Sequence, residues 1–586
     1  MVFSFFILAT VGICLSLKRW AGFALESTLI LTVSLETCLF FLFALCQALS
    51  LGFYLVSILG CLALLVHLIQ YLRQPTITWP RLRAPQLIFW GLFLIYSLAL
   101  VGTHFTHYDN FSHWARIVKF ITLEGRLVQD GDQFISFTSY PPGSALYLGY
   151  WMQGLPLRDD LMLIGQNLIN FACVWPLVGL ASGFQKKQGL ASGIALVFIA
   201  LLNILDRGAG HILYTSLLVD FLLPLVALAA VTSLYRHRQH FGQLSLITAA
   251  MTSFLILIKN SGIFFVILII LYYAYLVWTR HRARFKLGLL ACLCPFLHLG
   301  LWNHYVGQTF SQVSKHSVNL AAYEEILGEK SLADIQAITN RFLRFFLKSE
   351  VASNQALYLF LALCALGILL GWLKRTPRQR TVGIMLAILI FYIISLYAMY
   401  LFSMPLAEAI RLASIHRYMG TILCFLYGLL CFSVLTTWDQ DPQLLAKPVT
   451  KSLGLILVLL ALLSHGHKLK EIYDFDDQLV SDTVAVVGQG SHYHEGDYLL
   501  VDDRQDTTYL QLMTSYYLYC NQTGISRPYD YPDHEASFIQ MVEEPEAVIY
   551  LTDPDHFGEK FTKVYGFQPK AQIYNRQELI QARQNT

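Results

Sequence analysis

Three short polar stretches interrupt an otherwise oily chain. The first is THFTHYDNFSHWAR, which carries Asp109 among His104, His107 and His113, and is followed by SYPPGSALYLGYW with Tyr140. The second is LIKNSG, with Lys259 at the end of an apolar run. The third is SMPLAEAIRLASIHRYMG, with Arg411, Arg417 and Tyr418 just before another such run. A carboxylate beside imidazoles can take a proton from a substrate, or it can help to hold a divalent cation such as zinc or manganese. Cations at the ends of apolar runs stand where an anionic group at a membrane surface must sit.

The elements that must position these residues follow from composition. With 56% hydrophobic and only 13% charged residues over 586 positions, the chain is too apolar for a soluble domain of this length and reads as a multi-pass membrane protein. About fourteen runs reach the ~20 apolar residues a crossing helix needs; they begin near Val2, Ser27, Leu51, Gln86, Leu161, Gly189, Ile212, Leu244, Gly262, Leu287, Ala356, Thr381, Met419 and Ser452. Fourteen crossings place Lys18/Arg19, Arg73/Arg81/Arg83, Lys186/Lys187, Arg236/Arg238, Arg280/Arg282/Arg284, Lys374/Arg375/Arg378/Arg380 and Lys447/Lys451 on one side, the cytoplasm. The long polar segments then fall outside: a first loop over 102–160, a second over 303–353 and the tail. The expected division is a transmembrane module over 1–466 and an extracytoplasmic α/β domain over 467–586, in which TVAVV, YLLVDD and AVIYLT read as strands and TTYLQLMTSYYLYC and HEASFIQMVEE as helices. Asp502 and Asp503 at a strand end read as surface acids. Ten of the 11 cysteines lie inside apolar runs, so no disulfide framework or zinc knuckle is expected, and nothing in the charge pattern calls for nucleic acid.

At 100° per residue Asp109, His113, Arg116 and Phe120 share one helix face, while Phe111, Trp114, Val118 and Ile121 share the other. That pattern predicts an amphipathic helix lying on the membrane, with its aromatic face in the headgroups, and the Tyr-Pro-Pro-Gly turn leads to a second such helix. SLADIQAITNRFLRFFLKSE reads as another surface helix, which guides an acceptor or covers a cavity. Asp206 and His211 flank a short outer turn, and Asp220 falls inside the next apolar run, where an acid is a functional candidate by default; Glu36 is its equal in the second run.

An Asp in a large outer loop just after a span (Asp109), surface helices in that loop, a Lys at a short outer turn (Lys259) and an Arg-Tyr pair before a late span (Arg417, Tyr418) together resemble the C-type glycosyltransferases, polytopic enzymes that use lipid-linked sugar phosphates. In that group the loop usually follows the first span, whereas here it follows the fourth. The resemblance implies a sugar transferase in the cell envelope, with a polyprenyl-phosphate sugar as donor and a glycan, lipid or protein as acceptor. Asp109 would be the base; Lys259, Arg411 and Arg417 would hold the phosphate, with His113, Arg116, Tyr140, Tyr418, Asp206 and Asp220 also binding substrate. No cofactor is implied beyond a possible divalent cation. A bacterial plasma membrane is the expected setting. A lipid-linked oligosaccharide flippase and a glycan polymerase or ligase remain the other readings; long loops on one side weigh against a transporter.

Overall fold

The computed structural model of the protein describes residues 2–74, 82–182, 188–310, 326–374, 378–440, 448–475, 477–502, 504, 507–528, 531–554 and 557–586. Arg81, Lys186, Lys187, Arg375, Lys447 and Asp503 lie outside the described residues.

Apolar runs without proline or polar breaks have one stable solution in lipid, the helix, because every backbone group must find its partner within the segment. Among the described residues ten helices are long and apolar enough to cross a membrane: in chain order, those within Leu25–Leu45, Leu49–Arg73, Asp159–Ala181, Ser192–Ala209, Phe241–Ile258, Asn260–Arg280, Arg282–Thr309, Ala352–Leu369, Arg380–Phe402 and Ile415–Thr437. Val2–Arg19, Ala84–Ala99, Leu222–Arg236 and Pro448–Tyr473 are further apolar helices. The protein is a mainly helical, multi-pass membrane protein with apolar side chains facing lipid. Leu59, Leu271, Ile394 and Leu463 are exposed on these helices.

The run from Ile212 departs from expectation. Its helix begins only at Leu222, and residues 212–221 take irregular backbone, all buried. Such backbone at membrane depth is tolerated where protein side chains satisfy it. Here Asp206 Oδ1 accepts from the Leu213 amide (2.7 Å), and Asn110 Oδ1 from the Leu217 amide (3.0 Å) and the Ser216 hydroxyl (3.3 Å). Asp220 therefore sits just before a helix, not within one.

The loop after Ala84–Ala99 also differs. Asn110–Trp114 form a π-helical turn that continues as the α-helix Ala115–Glu124, and every residue from Asn110 to Ile121 is buried. The helix Gly143–Trp151 is buried along its whole length. Neither is a surface helix: the tail covers the polar side of the first, and the second packs among Leu25–Leu45, Phe241–Ile258 and Asp159–Ser182. Arg116 donates from Nη1 to Phe134 O (2.8 Å) and from Nη2 to Leu512 O (3.0 Å) and Ser515 Oγ (2.8 Å), and from Nε to Phe111 O. Lys119 Nζ donates to Tyr516 O (2.7 Å) and Tyr517 O (3.2 Å), the last-turn carbonyls of helix Thr507–Leu518, where a cation also opposes the helix dipole. Burial pushes the Lys119 ammonium down to about 7.

The tail holds a four-stranded sheet ordered β2-β1-β3-β4: β1 (Tyr498–Val501) pairs in parallel with β2 (Ile525–Ser526) and β3 (Ala547–Tyr550), and β4 (Gln572–Asn575) runs antiparallel to β3. Alternation along β1 and β3 divides their side chains between two cores. Leu500 and Ile549 face the same core as the membrane bundle, while Leu499, Val501, Val548 and Tyr550 join Phe538, Phe557 and Phe561 on the other side. YLLV and AVIY are strands as expected, whereas TVAVV closes the helix Gln478–Val487, started by the Asp477 side chain accepting from the Leu479 amide. The last apolar helix continues past Gly466 to Tyr473.

The clamp on the tail gives a direct test. Arg116→Met should leave Phe134 O without its donor in a buried site, at a cost of about 1–3 kcal/mol, and remove the link to Leu512 O and Ser515 Oγ of the tail. The expected outcome is faster proteolytic release of the tail in the purified variant, and release at the wild-type rate would show that the clamp does not hold it.

Candidate functional site

Asp109 and Arg417 meet across 308 residues of chain: Arg417 Nη1 donates to Asp109 Oδ2 at 2.5 Å. Each is fixed from its own side. The Asp109 amide donates to His107 Nδ1 (3.1 Å), in the turn that opens the π-helix. Arg417 Nη2 donates to Ser414 Oγ (2.9 Å), and the turn carrying Ser414 has two residues in the left-handed region, Leu412 at φ 53° and Ser414 at φ 62°. Strain of this kind in residues other than glycine costs about 1–3 kcal/mol each and persists only where neighbours enforce it. Tyr400 is one such neighbour, donating from its hydroxyl to Ala413 O (2.8 Å).

Lys259 reaches the same place from a third element. The helix Phe241–Ile258 stops at Lys259, which is extended, and a 3-10 turn Asn260–Gly262 restarts the chain as Ile263–Arg280. A glycine in the Tyr-Pro-Pro-Gly turn makes the approach possible: a Cβ at Gly143 would lie 2.6 Å from the Leu257 carbonyl, so a larger residue would push the Tyr140 turn off the end of this helix. Tyr140 stacks on Trp114 (ring centroids 5.8 Å apart, planes at 13°) and meets His113 edge-on at 4.8 Å. Lys259 Nζ stands 5.9 Å from the Trp114 ring centre and 5.7 Å from that of Tyr418, within cation–π range.

Electrostatics binds these groups into one set. Burial alone would raise the Asp109 carboxyl, but Arg417, His107 and Lys259 outweigh it and hold the group below the ordinary carboxylate range. The pair thus adds stability that is complete above the unfolded aspartate value and is lost only as pH falls through the lower, folded one. Burial alone would lower Lys259, but Asp220, Tyr418 and Tyr140 outweigh that and keep it above its usual value. Asp220 is buried and acts on both Lys259 and Arg417, and its backbone carbonyl accepts from Thr421 Oγ1 (2.9 Å). Two acids therefore face two bases. Burial pushes His113 down to about 3, so it is a neutral ring, and neither of its nitrogens has a hydrogen-bond partner among the described residues. Burial likewise pushes the Tyr140 phenol up to about 12.

A cavity of about 460 Å³ opens beside this cluster, lined by Tyr140, Lys259, Asn260 and Tyr418 together with residues that include Ser395, Ala398, Met399 and Phe402. Its lining mixes one cation, Lys259, and several hydroxyl and amide groups with apolar side chains, a combination that suits an amphiphilic ligand. Two buried atoms of the cluster lack partners among the described residues: Arg417 Nε, a donor, and Asn260 Oδ1, an acceptor.

No protein-family model, curated protein or solved structure matches this chain. The site must therefore be judged on its own geometry.

Of the residues the sequence singled out, Asp109, His113, Tyr140, Lys259, Arg417, Tyr418 and Asp220 gather here. Three do not. Arg116 points into the tail. Asp206 is paired with Lys468 Nζ (2.5 Å) as a buried pair in a separate cluster with the more exposed His211 and Glu471. Arg411 lies exposed after the short helix Leu406–Ile410. Among the described residues no three His, Cys, Asp or Glu side chains come together as a metal-binding group, and His104 turns instead to Asp159 (3.2 Å). Trp114, Asn110, Asn260 and Ser414 are contributors that the sequence did not flag. Trp114 was read as facing lipid, and Asn110 and Asn260 each adjoin a flagged charge in sequence, which was the available signal.

Asn110 joins the Asp109 loop to the irregular segment before Asp220. Asn110→Ala should free the Leu217 amide, lower stability by about 1–3 kcal/mol, and speed amide exchange over residues 212–221. Unchanged exchange there would show that Asn110 does not fasten the two segments.

Proposed function

We propose that this protein is an integral membrane glycosyltransferase, of the C-type resemblance described above, that transfers a sugar from a polyprenyl-phosphate donor to an extracytoplasmic acceptor in the cell envelope. The observation that carries the reading is the Asp109–Arg417 pair grouped with Lys259 and Tyr418, two residues that line a cavity with both polar and apolar side chains. A lipid phosphate needs cations at the membrane surface with apolar walls beneath, and an acceptor hydroxyl needs a carboxylate within reach.

In the proposed reaction the acceptor oxygen bonds to the anomeric carbon as the bond from that carbon to the phosphate oxygen breaks. The electron pair stays on the phosphate, where Lys259 and Arg417 stabilise it, and Asp109 takes the acceptor's proton. Arg417 Nε is an unsatisfied donor that a phosphate oxygen would fill, and Asn260 Oδ1 an acceptor that a sugar hydroxyl would fill. The proposal includes fourteen crossings, with the basic clusters in the cytoplasm of a bacterial plasma membrane and both the Asp109 loop and the tail domain outside. A single-sugar transferase and a glycan polymerase or ligase share this chemistry. The flippase reading draws on the irregular backbone at residues 212–221, since broken helices mark many transporter sites.

Two measurements test the proposal. On intact cells a membrane-impermeant thiol reagent should label a cysteine placed at Gln133 and not one placed at Gln379; labelling only at Gln379 would put Asp109 on the wrong side. With purified protein and a lipid-linked sugar, Asp109→Asn should lower transfer by about 10²–10⁴-fold while donor binding persists, because Asn keeps the shape but cannot take the proton. Lys259→Ala should weaken donor binding instead. Full transfer by Asp109→Asn would reject the base and put the flippase reading ahead.

A further inference from the structure

The helix Leu332–Phe345 has three distinct faces. One is buried: Ile338, Phe342 and Phe345 turn inward, Phe342 meets the Tyr397 ring at 5.2 Å, and Thr339 Oγ1 lies 2.6 Å from Tyr397 Oη. Leu332, Leu343 and Leu347, the last in the closing turn, fall on the opposite side at 100° per residue and are 86%, 61% and 79% exposed. On the shoulder between them stand Arg341, Arg344 and Lys348, all exposed. Three outward leucines beside three cations make a poor face for water, but they fit the boundary between headgroups and acyl chains. Chain connectivity fixes the level, because Lys348 is four residues from the start of the apolar helix Ala352–Lys374.

This helix is also tied to the site. Lys330 Nζ donates to Tyr400 O (3.0 Å), Leu401 O (2.6 Å) and Met404 O (2.7 Å), closing the end of helix Arg378–Phe402 that walls the cavity. Arg341 Nη1 donates to Ile410 O (2.9 Å), at the entrance to the strained turn that presents Arg417.

We propose that Leu332–Lys348 is an in-plane anchor whose Arg341, Arg344 and Lys348 bind the headgroups of anionic phospholipid, with Leu332, Leu343 and Leu347 in the acyl boundary, and that this seating steadies the turn before Arg417. The occupant is a lipid surface, because the leucines need hydrocarbon and the cations need phosphate at the same depth. The inference stands apart from sugar transfer, and its test does not measure activity.

The full-length protein is placed in nanodiscs of phosphatidylcholine alone, or of phosphatidylcholine with phosphatidylglycerol, and amide exchange is followed for peptides covering 332–348 and 409–417. Exchange over 332–348 should slow about tenfold in the anionic discs, the gain expected of a few basic residues at a charged surface, and high salt should remove the difference. Exchange over 409–417 should slow with it. Arg344→Gln with Lys348→Gln should abolish both effects while the peptide for Phe241–Ile258 exchanges as before. Equal exchange of the wild type in the two kinds of disc would overturn the proposal, as would lipid-dependent protection that survives the double substitution. Protection by soluble polyphosphate in neutral discs, with none from phosphatidylglycerol, would overturn it too and point to an acidic polymer as the partner.

Discussion

The contact on which the site depends is the ion pair between Asp109 and Arg417, because it is where the first polar loop and the last part of the bundle are obliged to agree. A partly buried pair of this kind is weak evidence for stability, since desolvation offsets much of the attraction, but breaking it by removing one partner is costly. It therefore works as a registration device. The parts around it are arranged to that end: Asn110 fastens the irregular segment before Asp220, Gly143 lets the Tyr140 turn press on the end of the Lys259 helix, and Ser414 holds the guanidinium from behind. With Asp220 and Lys259 the set is formally neutral, so two buried cations cost less than either would alone.

A second pair of cations does unrelated work a few residues away. Arg116 and Lys119 are as buried as anything in the protein, yet their partners are a hydroxyl and backbone carbonyls of the tail and, for Arg116, two carbonyls of its own loop. Helix C-termini present unsatisfied carbonyls, and a lysine or arginine from another element can take the place that water would fill. The tail is thereby part of the site's architecture: it covers the helix that follows Asp109, and Tyr509 donates from its hydroxyl to Thr106 O (2.9 Å), three residues before Asp109.

These two pairs show what was legible in the sequence and what was not. The membrane helices were readable because a long apolar run has a single answer in lipid. Asp109, Lys259, Arg417 and Tyr418 were readable because charge at the edge of such a run needs a reason. The same logic named Arg116, Asp206 and Arg411, which the structure places apart from that cluster. Sequence position says that a charge lies near the interface but not which neighbour answers it, and Asp206 is answered by Lys468, 262 positions on, and not by a residue that lines the cavity. Amphipathicity misled for a related reason. The polar face of Asn110–Glu124 signals polar company, and protein carbonyls satisfy that demand as well as water does. TVAVV failed on length alone, since a run of five residues fits a strand or a helix turn equally.

The strained turn before Arg417 ties these features to chemistry. A guanidinium on a relaxed loop would follow its ligand and lose orientation, whereas Leu412 and Ser414 hold theirs in a backbone shape that has few alternatives. At rest Arg417 spends one arm on Asp109 and leaves Nε unfilled. In the proposed reaction an incoming phosphate would satisfy Nε and compete for that arm, so the binding of the donor would itself loosen the carboxylate from its partner. A carboxylate held below its ordinary pKa by a cation is a weak base, and one released from that cation is a stronger one. On that proposal Asp109 would become an effective base only after the phosphate has arrived.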